Sequence, residues 1–217
     1  MKVGTDGVLL GAWADVGVGN IRILDVGTGT GLISLMMAQR NLQATVKGIE
    51  IDENAYQEAM ENFANSPWSD RISVVKADFL QYTSNEKFDI IISNPPFYTN
   101  GLLAPDEART TARHAQNFDI SNFFSKAKVL LEVHGKIIFV YPYSDLELIR
   151  KTVAESSLYI NRIAYIYPRA DLPCKRILCE CSATETEVTE ESFSIELDRH
   201  IYTPEYTKLT KEFYLKM

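Results

Sequence analysis

The sequence contains no run of apolar residues approaching the ~20 that a membrane-spanning helix requires. Its opening stretch, MKVGTDGVLLGAWADVGVG, is too short in apolar residues and too acidic, at Asp6 and Asp15, to be a secretory signal. Cysteine is scarce. Cys174, Cys179 and Cys181 form an odd set of three without C-x-x-C spacing, which excludes a disulfide scaffold and predicts reduced, half-buried core thiols. Neither these nor the 3 histidines show a ligand spacing, so no metal is expected. Positive charge is also in deficit: 22 Lys and Arg face 29 Asp and Glu, a net charge of -7. At face value that argues against a nucleic-acid partner, because Lys and Arg contacts to phosphate dominate such affinity. What remains is a chain of 217 residues, 46% hydrophobic and 24% charged, which predicts one soluble, cytoplasmic domain with no membrane segment; a monomer is expected, although nothing in the composition fixes the oligomeric state.

The charge deficit is not uniform. Residues 1–107 carry 7 basic and 14 acidic side chains, residues 108–176 carry 11 and 6, and residues 177–217 carry 4 and 9. The middle of the chain is therefore a basic island, bounded by Arg109 and Arg176, between two acidic ends.

Apolar periodicity alternates between strand and helix. Ile21 to Val26 reads as a buried strand, Leu32 to Arg40 as a helix, Thr45 to Ile51 as a strand, and Glu53 to Asn65 as a helix capped by Asp52 and stopped by Ser66-Pro67. Ile72 to Val75 and Asp89 to Ser93 read as strands, Ser121 to Val133 as a helix, Lys136 to Tyr141 as a strand, with a further helix capped by Ser144. Leu158 to Tyr167 and Arg176 to Cys181 then follow without a helix between them, which predicts an antiparallel edge pair. The acidic tract Thr184 to Glu191 reads as a solvated turn. Repeated strand–helix units predict an α/β fold: a seven-stranded, mostly parallel sheet with helices on both faces and an antiparallel C-terminal hairpin. Residues 16–141 form the core of that expected single domain, 1–15 an N-terminal motif and 142–217 the C-terminal helix, hairpin and tail. Ligands of such sheets bind at the carboxyl ends of the strands. The loops Gly27–Gly31, Glu50–Asp52, Asp78–Phe79 and Asn94–Phe97 are expected to meet there.

Asp25-Val26-Gly27-Thr28-Gly29-Thr30-Gly31 lies between the first strand and its helix. Glycines there permit a tight turn and close approach of a ligand to the backbone, and the helix start supplies free N–H groups. The spacing is G-x-G-x-G, one residue tighter than the nicotinamide fingerprint. Glu50, nineteen residues beyond Gly31, stands where a carboxylate accepts ribose hydroxyls. Asp78 is either an acceptor for an adenine amino group or the cap of a turn.

The sharpest signal is Asn94-Pro95-Pro96-Phe97 directly after the fourth strand. Consecutive prolines fix φ and remove N–H donors, leaving rigid, bare carbonyls. An exocyclic amine on an aromatic ring has a delocalised lone pair. Acceptors from the Asn94 side chain and the Pro95 carbonyl would bind its hydrogens and favour a nucleophilic nitrogen, while Phe97 stacks on the ring. With a sulfonium methyl donor this chemistry needs neither metal nor strong base.

DVGTGTG, GIEID, Asp78 and NPPF together resemble the amino-group class of S-adenosylmethionine-dependent methyltransferases. Lys2 to Trp13 (KVGTDGVLLGAW), Ala112-Arg113-His114, Tyr202 to Tyr206 and Phe213-Tyr214-Leu215 are similar to one branch, the tRNA1(Val) adenine-N6 methyltransferases, which act on adenosine 37 beside the anticodon. That resemblance implies S-adenosylmethionine as cofactor and a tRNA anticodon loop as partner. It puts Thr5 and Asp6 near the methionine part of the cofactor, Asp25, Gly27, Gly29 and Gly31 around the loop beneath it, and Glu50 and Ile51 at the ribose. Asp78 and Phe79 fall at the adenine, and Asn94, Pro95, Pro96 and Phe97 around the target base, with Asn94 also among the cofactor contacts. Family members carry a further segment before K-V-G-T-D, whereas this sequence starts at Met1. Tyr98, Arg109, Arg113, His114, Lys175 and Arg176, with Tyr165 and Tyr167, become candidate RNA contacts, as stacking rings and phosphate partners. Other readings of the motif set are a release-factor glutamine-amide methyltransferase, a DNA adenine-N6 methyltransferase, and a non-catalytic RNA-binding protein.

Overall fold

Apolar side chains at alternate positions of the central strands face opposite sides of a single sheet, so both faces must be covered. The computed structural model describes residues 4–96 and 119–214. Strands β1 (Arg22–Val26), β2 (Thr45–Glu50), β3 (Ile72–Lys76), β4 (Phe88–Ser93), β5 (Leu131–Pro142), β6 (Tyr159–Arg169), β7 (Arg176–Ser182), β8 (Thr189–Asp198) and β9 (Ile201–Tyr202) form one sheet of order β3-β2-β1-β4-β5-β7-β6-β8-β9. The first five are parallel, and β7 runs antiparallel to both β5 and β6.

One face packs on helices α1 (Thr5–Trp13), α2 (Leu32–Arg40) and α3 (Glu53–Ala64) and on Tyr206 of α6 (Pro204–Thr210), around Ile23, Val46, Ile90, Ile92, Ile138 and Val140. The other packs on α4 (Ile120–Leu130) and α5 (Leu146–Glu155), around Leu24, Ile91, Ile137, Phe139 and Ile177. Helix α1 is buried along its length from Gly7 to Trp13. A helix apolar on all sides is stable only when enclosed. Its last carbonyls are satisfied by other elements: Arg40 donates to the Gly11 and Ala14 carbonyls at 2.7 and 2.6 Å. The Arg162 guanidinium lies 4.1 Å from the centre of the Trp13 ring.

Several expectations need correction. The helix expected to reach Val133 ends at Leu130, because Leu131 turns extended (φ -80°, ψ 143°) and packs opposite Phe88 as the first residue of β5. Ser144 caps nothing. It sits in a 3-10 turn, Tyr143–Asp145, and donates to Asp145 instead. The β6–β7 pair is not an edge, since β7 inserts between β5 and β6 and the sheet continues into β8. The end of the acidic tract is therefore a strand: Glu191 of β8 pairs with Arg162, and Phe193 and Ile195 alternate toward the core. Cys179 and Cys181 are fully buried rather than half-buried, and burial pushes both thiols up; Cys174 alone is partly exposed. Among the described residues no helix is long and apolar enough to cross a membrane.

Candidate active site

The carboxyl ends of β1, β2 and β4 and the start of α1 converge at one end of the sheet. After β1 the chain reverses through Gly27 (φ 69°) and Gly31 (φ 87°), left-handed conformations that favour glycine. The two glycines differ in purpose. A Cβ on Gly27 would meet nothing within 4 Å, whereas one on Gly31 would collide with the Phe63 ring of α3. Gly27 leaves room above the loop, and Gly31 lets two elements touch.

Asp25 ties the loop from below. Its Oδ2 accepts from Thr28 Oγ1 at 2.7 Å and from Ser34 N and Oγ at 3.1 and 2.8 Å, while Oδ1 is buried with no donor in reach. Full burial pushes this carboxyl up from 3.8 to about 6 despite those hydrogen bonds. The roles of Thr28 and Ser34 were missed by sequence reasoning, although hydroxyls three and nine residues beyond a strand-end acid were there to be noticed. Glu50, 8% exposed, ties the loop from the side. Its Oε2 accepts from Gly29 N at 2.8 Å and its Oε1 from Ile51 N and Asp52 N at 2.8 and 2.9 Å. Of roughly four acceptor positions on a carboxylate, three are filled by backbone donors; Oε1 is taken up by Ile51 N and Asp52 N, and the position left open is on Oε2, beside the Gly29 N–H.

Ile51 beside it is 51% exposed, an apolar surface at the rim. Asp78 is exposed and its Oδ1 accepts from Leu80 N at 2.9 Å, so the turn-capping alternative is realised. The Phe79 ring is buried in the core, 5.5 Å from that of Phe123.

Asn94, Pro95 and Pro96 follow directly on β4, outside any helix or strand, and the strand end is anchored by Ser93 Oγ, which donates to the Val26 carbonyl at 2.8 Å. Asn94 is half-buried, and its amide nitrogen lies against Gly7 of α1, 3.7 Å from where a Cβ would stand. The same first turn of α1 carries exposed Thr5, and Asp6, whose Oδ2 accepts from Arg176 Nε at 2.8 Å. This pair joins two residues the sequence assigned to different ligands. Lys175 is exposed beside it, and Tyr165 and Tyr167 lie on β6. Phe97, Tyr98, Arg109, Arg113 and His114 lie outside the described residues.

Residues 14–153 match the Methyltransferase small domain family. The tRNA1(Val) (adenine(37)-N6)-methyltransferase of Bacteroides thetaiotaomicron is 44% identical over 100% of this chain and 92% of its own length. That of Flavobacterium johnsoniae is 42% identical over 100% and 94%. Among solved structures, a predicted O-methyltransferase of Agrobacterium tumefaciens aligns with TM-score 0.70 at 20% identity, over 95% of this chain and 96% of that one. The ribosomal protein L11 methylase of Lactobacillus delbrueckii gives 0.56 at 23%, over 82% and 78%. At these identities the likeness to solved structures is one of fold.

Proposed function

The chain belongs to the tRNA1(Val) (adenine(37)-N6)-methyltransferases, and from that membership we propose that it transfers a methyl group from S-adenosylmethionine to the N6 amine of an adenosine in a tRNA anticodon loop, adenosine 37 of tRNA1(Val). We read residues 1–217 as one cytoplasmic, monomeric methyltransferase domain. The observation that carries the site assignment is the Asn94-Pro95-Pro96 arch leaving β4 beside a glycine loop that Asp25 and Glu50 hold open.

The residues fit the cofactor. Space lies open above Gly27, a buried carboxylate oxygen of Asp25 lacks a donor, Glu50 retains acceptor capacity at the rim, and Ile51 offers an apolar face. When bound, S-adenosylmethionine supplies an electrophilic methyl group on sulfonium and, with it, a neutral thioether leaving group. Thr5, Asp6, Gly27 and Gly29 would hold its methionine part, Glu50 and Ile51 its ribose, and Asp78 with the Phe79 main chain its adenine. Gly31 acts one step removed, by letting α3 support the loop.

The rest of the work is on the amine. Asn94 Oδ1 and the Pro95 carbonyl accept the two N6 hydrogens, which withdraws the nitrogen lone pair from the ring and aims it out of plane. The same acceptors stabilise the positive charge that grows on nitrogen, and the surplus proton leaves to water. The two prolines keep the Pro95 carbonyl free of competing local N–H donors. Phe97, next in sequence, is assigned to stack on the adenine.

Incubation with methyl-labelled cofactor and total tRNA, followed by digestion to nucleosides, should give label in N6-methyladenosine alone. Label in any other nucleoside, or only in a glutamine side chain of protein, refutes the substrate. Asn94→Ala should lower turnover at least 100-fold, the scale of losing one transition-state hydrogen bond (~10² to 10³). Its cofactor affinity, read by calorimetry, should stay near that of the parent.

A further inference from the structure

The carboxyl rim of the sheet carries an aromatic residue that methyl transfer does not use. Tyr143 opens the 3-10 turn after β5, its N–H held by the Lys175 carbonyl at 3.1 Å, and the residue is 41% exposed. Tyr165 supports it from behind, edge to face, with ring centres 6.1 Å apart and planes at 73°. The Tyr143 hydroxyl has no hydrogen-bond partner among the described residues. A tyrosine that serves only packing buries its ring and satisfies its hydroxyl; this one is braced on one side and open on the other.

The cations nearby are not equivalent. Arg169 is taken up by Asp171, with bonds of 2.5 and 2.8 Å, and Arg176 pairs with Asp6. Lys175, on the strand end that holds Tyr143 in place, is exposed and has no acidic partner among the described residues. Of these three basic groups, only Lys175 offers an uncompensated charge. The position is also right. Ser93 pairs with Phe139 and Pro142 with Arg176, so Asn94 lies level with Val140, one strand away. With strands about 4.8 Å apart and a rise of about 3.3 Å per residue, Tyr143 stands roughly 11 Å from Asn94, within reach of a nucleotide flanking the target.

We propose that Tyr143, braced by Tyr165, is a stacking platform for an unpaired base that flanks the methylated adenosine, and that Lys175 meets the phosphate beside that base. This rests on the reading that tRNA is the substrate. Single-stranded RNA is the occupant that fits, because an open ring accepts any base face and a free ammonium accepts phosphate. An acidic peptide would use the ammonium and leave the ring idle.

The full-length chain and its Tyr143→Ala, Tyr143→Phe and Lys175→Ala variants can be compared in binding to unmodified tRNA across a salt series, in KM and kcat for tRNA, and in calorimetric affinity for S-adenosylmethionine. Tyr143→Ala should weaken tRNA binding and raise its KM about 5- to 150-fold, the fold-change of losing one base stack. Tyr143→Phe, which keeps the ring, should restore binding to within about twofold of the parent. Lys175→Ala should reduce the slope of log affinity against log salt by ~0.7, one single-strand phosphate contact. Cofactor affinity should be the same in all four proteins. The platform is refuted if the parent methylates tRNA and Tyr143→Ala binds it as tightly, or if Tyr143→Ala loses cofactor affinity in parallel, which marks a packing role. A parent that neither binds nor methylates tRNA overturns the substrate reading itself, and the platform with it.

Discussion

Asp25 has no solvent exposure, accepts three hydrogen bonds through one oxygen and leaves the other without a donor. Its folded value near 6 lies above the 3.8 of a free carboxyl, so the fold favours the protonated form. The stabilisation is complete below pH 3.8 and is lost as the pH rises through 6. The difference is of order ~3 kcal/mol. Asp25→Asn removes that titration. In urea denaturation, the stability difference between variant and parent should move by ~3 kcal/mol in favour of the variant from pH 3 to pH 7.5; a constant difference sinks the assignment. The glycines of the loop separate by a second experiment. Gly31→Ala combines left-handed strain with a collision against Phe63, and should cost ~2–5 kcal/mol of stability in thermal or urea unfolding. Gly27→Ala meets only open space, so its stability cost should be ~1–2 kcal/mol of backbone strain. Its larger effect should be a loss of cofactor affinity, because the new methyl stands where a ligand approaches. The motif spelled out all three glycines, but only the approach of α3 divides them into a cradle and a packing contact.

At the scale of elements, helix α2 begins and ends where apolar spacing predicts, and Asp52 caps α3 by accepting from Ala55 N. Local chemistry decides those boundaries. Helix α1 is different, since no polar face or side-chain N-cap announces it. Its last turn is held by arginines from α2 and β6, and burial makes the Arg40 charge harder to keep. Arg40→Met should leave the Gly11 and Ala14 carbonyls unpaired and cost ~2–4 kcal/mol in unfolding free energy. Cofactor affinity should fall with it, since the other end of α1 presents Asp6 and sets Gly7 against Asn94. Unchanged cofactor affinity would separate the anchoring of α1 from the site. The helix expected to reach Val133 stops at Leu130 because Leu131 obtains its burial as a strand residue, opposite Phe88.

At the scale of the molecule, β8, β9 and α6 extend the expected seven strands and close the sheet face beside α1. Thr203 caps α6, and Tyr206 is buried against that face, its hydroxyl 3.1 Å from that of Tyr214. Deleting residues 189–217 would uncover Ala164, Ile166 and one side of α1. Full burial of a large apolar side chain is worth ~1.5–3 kcal/mol, so several at once exceed the stability of a typical domain. The truncated chain should be insoluble or lack a cooperative melting transition by circular dichroism; a soluble, cooperatively melting product would show that the extension is dispensable.

Between β1 and β7 the order of strands and helices, and the positions of the glycine loop, Glu50 and Asn94-Pro95-Pro96, were legible in the sequence, because periodicity, capping and proline geometry act over a few neighbouring residues; α1 and everything after β7 were not. The scarcity of positive charge was legible too, but not its meaning. Tertiary structure alone decided that Arg176 and Arg169 are neutralised by Asp6 and Asp171 while Lys175 is not, that Phe79 serves the core, and that Tyr143 stands open at the rim. Each of those outcomes depends on partners brought together from distant strands and helices, and a side chain's charge, burial and exposure are properties of those partners as much as of the residue itself.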